Sequence, residues 1–148
     1  MPQLSPMSRI SDLATLLARV VVGVVFIAHG LPKAADFHGT AAGFGTLGVP
    51  LPEVAATTAV VVEVGGGVAL IAGFLLPVVG VVLTGMMGAA YCFAHIGDPL
   101  VGGYELLLVL GVSALALGFS GGRYSLDRLL PWGRGHKQES APVPVSAQ

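Results

Sequence analysis

Residues 13–33 read LATLLARVVVGVVFIAHGLPK. The run is long enough to cross the ~30 Å hydrocarbon core of a bilayer, which takes about 20 helical residues, yet Arg19 sits inside it and His29 and Lys33 close it. A charge at the bilayer centre costs at least ~2.5 to 3.5 kcal/mol on insertion scales, so each one points to a partner or a function. Three further apolar segments repeat the pattern. Glu63 lies within the second, His95 ends the third and Glu105 starts the fourth.

Composition sets the class. Of 148 residues 54% are hydrophobic and only 10% charged, with 22 Gly and 10 Pro and a mean hydropathy of +0.85. That is the profile of a small polytopic membrane protein, whose helices tolerate Gly and Pro better than soluble ones do. A net charge of -1 argues against a nucleic-acid partner. The lone Cys92 permits neither an internal disulfide nor a CxxC pair, which removes the direct route to thiol exchange within one chain.

Hydropathy and helix breakers place spans at about 13–31, 54–76, 78–95 and 104–120. Backbone in lipid must satisfy its own hydrogen bonds, so the expected fold is all-α, a four-transmembrane-helix up-down bundle. Arg19 within the first apolar run, and the absence of an A-x-A site after it, argue against a cleaved signal. Between the first two spans, Phe37, Ala41, Phe44 and Leu47 recur at helical spacing, with Asp36 placed to cap and Gly48 to terminate. This predicts a short interfacial helix across the bundle mouth. Residues 1–130 form the membrane domain, and the Pro-containing, aperiodic 131–148 reads as a disordered cytoplasmic tail.

Orientation follows from basic residues outside the spans. Arg9, Arg123, Arg128, Arg134 and Lys137 fall on one side and Lys33 alone on the other. The positive-inside bias predicts cytoplasmic N- and C-termini in a multi-pass protein of the cell inner (plasma) membrane, with 32–53 and 96–103 external. Tyr124 and Trp132 then lie at an inner aromatic belt.

The polar residues are ordered. Arg19, Gly23, Phe26, Gly30 and Lys33 share one stripe of the first helix; Ala59, Glu63, Gly66, Gly67 and Leu70 share one of the second. Small residues beside a charge direct each stripe at a neighbouring helix. Counting ~1.5 Å per residue from the outer ends of 13–31 and 54–76 brings Arg19 and Glu63 to similar depth, so a buried ion pair between them is expected. His29, Tyr91, His95 and Glu105 belong to the outer end and form the candidate ligand or proton-transfer site. Lys33 is expected to snorkel, Cys92 to act as a small hydrophobe, and Asp98 to lie off the site.

Taken in order, Arg19, Gly23, Phe26, His29-Gly30-Leu31-Pro32-Lys33, Gly48-Val49-Pro50, Glu63 with Gly66-Gly67 and Gly73, His95, Glu105, and Gly121 with Ser125-Leu126-Asp127 resemble the DoxX family of small four-helix membrane proteins over about residues 10–130. The resemblance implies the fold and the membrane location. It also implies an association with redox systems, since members are linked to the membrane subunit of a thiosulfate:quinone oxidoreductase and to partners handling oxidative and thiol stress.

Three functional classes follow. The first is a partner-dependent redox subunit, with a quinone head among Tyr91, His95 and Glu105, where an imidazole and a carboxylate exchange its protons. The second is a non-enzymatic membrane scaffold anchoring soluble enzymes. The third is a small-solute or proton pathway along the intramembrane charges. Haem or a metal between His29 and His95 is disfavoured because the sequence shows no supporting second partner for either imidazole. Partners are the bilayer and soluble or membrane redox proteins. Phosphate-loop, catalytic-triad and zinc-finger patterns are absent.

Overall fold

The computed structural model describes residues 6–120 and 124–129, and these are helical with no strand among them. Helix α1 spans Pro6–Ala35 and the short α2 spans Phe37–Thr46. The second span is built of α3 (Pro52–Val60), a π turn over Val61–Gly65 and α4 (Gly66–Ala72). The third is α5 (Leu76–Ala94); the fourth is α6 (Glu105–Ser120), entered through a wide turn over Leu100–Tyr104. Four helices are long and apolar enough to cross a membrane. The proposed tail 131–148 and Trp132 lie outside the described residues.

Two ends differ from the sequence expectation for stated reasons. Pro32 does not stop α1: its ring removes the N–H that would donate to Ala28 O, yet the helix runs on to Ala35, and Asp36 N donates to Pro32 O at 3.0 Å to close the last turn. The second span stops earlier, at Ala72, since Gly73 takes φ +74°, a left-handed conformation that ends a helix. The helix expected between the first two spans is present. Asp36 caps it by accepting from Gly39 N at 3.0 Å, and Ala41 is its buried inward residue.

Close helix contacts fix the arrangement. A Cβ on Gly23 would stand 2.7 Å from Gly67 O, so α1 and α4 touch backbone to backbone. At the other seam, Gly80 of α5 and Gly118 of α6 make the same approach. Phe26, Leu70, Leu76 and Leu83 fill the space between the two pairs, fully buried. Outward stand Leu13, Leu17, Val21, Val24, Val81, Val109 and Val112, each more than half exposed. A surface so apolar on every side is suited to lipid rather than water.

The end of the bundle near Arg19 is sewn by the chain that follows the last span. Leu75, at φ +49°, precedes α5 without a side-chain cap of its own. The Asp127 carboxylate supplies one from 52 residues away, accepting from Leu75 N at 2.7 Å and Leu76 N at 2.9 Å. Ser125 Oγ and Asp127 N both donate to Gly73 O, at 2.6 and 3.0 Å. Arg19 donates to Tyr124 O. Replacing Asp127 by Ala should therefore cost about 1 to 2 kcal/mol, the usual range for a lost N-cap, with Asp127→Asn costing less. Thermal unfolding of the detergent-solubilised full chain measures it, and equal loss in both variants would argue that charge rather than hydrogen bonding carries the cap.

Candidate functional site

The second span is irregular where its charge sits. Glu63 is the middle residue of the Val61–Gly65 π turn and is only 4% exposed. One inserted residue re-aims the side chains of a helix, and such bulges gather at functional positions. Here α1 comes so near that a Cβ on Gly30 would stand 3.0 Å from Glu63 Cβ and 2.7 Å from Val64 Cγ2. One turn further along α1, Lys33 Nζ donates to both carboxylate oxygens of Glu63, at 2.6 and 2.5 Å.

This pairing corrects the expected Arg19–Glu63 bridge. Gly30 faces Glu63, Gly23 faces Gly67, and Gly73 abuts Arg19. Arg19 thus lies about ten residues, or ~15 Å, along the helices from Glu63. The expectation aligned residue 31 with residue 54; α1 continues to Ala35, and the register shifts by about two turns. Lys33 correspondingly points inward rather than snorkelling, with its side chain 27% exposed. Arg19 is buried toward the other end of the bundle, and among the described residues its Nε and Nη1 have no hydrogen-bond partner; Asp127 supplies the opposing charge.

Above the ion pair is a cavity of about 310 Å³. Lys33, Glu63, His29 and His95 line it, with Phe26, Met87 and Leu110 forming the apolar floor and wall. His95 follows the last turn of α5, and its Nδ1 lies 2.9 Å from Asp98 Oδ2. That contact fixes the ring and leaves Nε2 as the nitrogen available to the cavity. Asp98 is therefore a support of the site and no bystander.

Two other candidates are elsewhere. Tyr91 stacks edge-on against Tyr104 with ring centroids 5.0 Å apart, in a separate apolar groove between α5 and α6. Glu105 is exposed in the first turn of α6, where the helix dipole favours a carboxylate, and it does not line the cavity. Cys92 is exposed rather than buried. No group of three His, Cys, Asp or Glu side chains among the described residues is arranged to hold a metal ion.

Comparison with known proteins decides the family. The DoxX profile matches residues 14–96. The chain belongs to the DoxX family. It is 30% identical over 136 residues to CatD of Bacillus subtilis strain 168, provisionally named an oxidoreductase, covering 91% of this chain and all of CatD. Two Escherichia coli K12 inner membrane proteins are also similar. YphA is 30% identical over 122 residues, covering 76% of this chain and 87% of YphA; YqjF is 31% identical over 131 residues, covering 84% and 97%. No solved structure matches significantly. This DoxX protein is thus a multi-pass membrane protein in contact with lipid.

The sequence signal for the true pair was present in the α1 stripe, which ends at Lys33. The π turn has a fainter mark, the consecutive Gly65, Gly66 and Gly67. Breaking a buried pair by removing one partner costs about 3 to 5 kcal/mol, whereas replacing both by apolar residues is often mild. Glu63→Leu should therefore be strongly destabilising and be rescued by Lys33→Met, but not by Arg19→Met. A double-mutant cycle on thermal stability reads this coupling, and equal stability of the two double mutants would sink the Lys33 assignment.

Proposed function

We propose that this DoxX protein is a partner-dependent redox subunit that binds the head of a quinone-class ligand in the cavity of His29, Lys33, Glu63 and His95. The observation that carries the reading is the buried Lys33–Glu63 pair facing a space that also meets two imidazoles. Register alone would not need a cavity beside it. The site fits the ligand by its chemistry: Lys33 and the imidazoles are donors for ring carbonyls, and the surrounding wall is apolar.

A quinone bound there would accept two electrons from a partner protein and two protons. The protein's part is to hold and deliver protons. Asp98 orients His95 so that Nε2 meets the cavity, while Glu63 anchors Lys33 Nζ at its edge. Phe26, Met87 and Leu110 give the cavity its apolar lining. A proton pathway across the membrane is disfavoured, because the fully buried apolar side chains of Phe26, Leu70 and Leu83 pack in the bundle interior. Soluble or membrane redox proteins supply the electrons. The scaffold reading predicts docking without any dependence on the two imidazoles.

Purified full-length His95→Ala and His29→Ala proteins should keep wild-type folded yield while retaining about tenfold less quinone, a difference of ~1.4 kcal/mol in binding. Organic extraction and chromatography of the bound fraction give the number. Unchanged retention in both variants would remove the quinone reading and leave the scaffold.

The basic residues support termini on the cytoplasmic side. In a Cys92→Ser background, a cysteine at Ala42 should react with membrane-impermeant thiol reagents in intact cells, and one at Arg128 only with permeant reagents. Labelling of both by the impermeant reagent would overturn this topology.

A further inference from the structure

The Lys33–Glu63 pair has a second side. Beneath α2 lies a chamber of about 350 Å³ that shares Lys33, Glu63 and Ala90 with the imidazole cavity. Its roof is Phe44 of α2 and Leu47 just after that helix, and Met86 and Phe93 of α5 form one wall. Apart from the ion pair, the only polar residue lining it is Thr58. That hydroxyl already donates to Val54 O at 2.8 Å. Away from the pair, the other side chains lining the chamber are apolar.

The space exists because alanines, among them Ala55, Ala89 and Ala90, stand where larger side chains would close it. Protein interiors seldom leave voids much larger than a water molecule, since the lining atoms forfeit dispersion contacts. An occupant restores them. Leu47 and Phe93 on the rim are 46% and 43% exposed, so in a bilayer the chamber opens toward lipid.

We infer that this chamber takes the first carbons of the aliphatic tail of the ligand whose head occupies the imidazole cavity, and that the tail leaves for the bilayer between Leu47 and Phe93. The inference rests on the head-site reading above. One continuous ligand explains why a single ion pair borders both spaces. The head takes the polar groups, the junction passes Ala90, and the chain lies against alanine, Met86 and Phe44. The ligand class is then a lipid-soluble molecule with one aliphatic chain, and chain occupancy contributes to selection.

The test uses the full chain in nanodiscs and two probes, dimethoxy-methyl-benzoquinone with no tail and the same ring bearing a decyl chain. Bound probe is measured in excess over empty nanodiscs. Ala89→Phe and Ala55→Leu fill the chamber from different helices, so one can report if the other fails to fold. In a folded variant, binding of the decyl probe should fall about tenfold and that of the tail-less ring should stay within about twofold. His95→Ala should weaken both probes. Wild-type binding of the decyl probe in the filled variants, with His95→Ala still weakening both, would overturn the chamber and leave the head site standing. If His29→Ala and His95→Ala change neither probe, the head site itself falls. Loss of the decyl probe from filled variants without any dependence on His95 would show that no single ligand spans both spaces.

Discussion

A carboxylate carried into a bilayer by a transmembrane helix must be met there, and the meeting of Glu63 with Lys33 organises this protein. The pair asks for close approach, which Gly30 of α1 permits, and for a side chain aimed off the regular helical position, which the π turn at Val61–Gly65 provides. It also draws the end of α1 across the second span, so that the chain leaves Ala35 already placed to lay α2 over the bundle mouth. Isolated, either charge would be costly in hydrocarbon; together they are held by two short hydrogen bonds.

The same pair borders the open part of the bundle. Around the Gly23–Gly67 contact, Phe26, Leu70, Leu76 and Leu83 are fully buried. At the Glu63 end, two cavities flank the ion pair, one bearing imidazoles and one nearly all apolar. The chemistry proposed here rests on the cavity and its residues.

Much of this was legible from residue order. Long apolar runs punctuated by helix breakers suffice for four helices, and the Asp36 to Gly48 interval announces α2. The stripe from Arg19 to Lys33 also gave the correct face of α1. What failed was axial register. Hydropathy locates a helix end only to within a few residues, and an error at both ends of an antiparallel pair adds up, here enough to assign Glu63 to the wrong cation. Tyr91 and Glu105 stand apart from the imidazole cavity for a different reason: sharing an end of a bundle does not mean sharing an interior. The contact of His95 with Asp98 depends on the turn after α5 and left no periodic trace. The Asp127 cap, which joins residues 52 apart, is likewise invisible to any local pattern.

That cap has a consequence for how the protein is made. The turn between the second and third spans is synthesised and inserted long before Tyr124, Ser125 and Asp127 leave the ribosome. Until then the first amides of α5 and the carbonyl of Gly73 lack their final protein partners, and Arg19 lacks the carbonyl of Tyr124. The bundle therefore completes itself only when its last helix has crossed and the strap has returned to Gly73 and Arg19. A ribosome that stops early releases a bundle with an unfastened edge, a form that membrane quality control can distinguish from the finished protein.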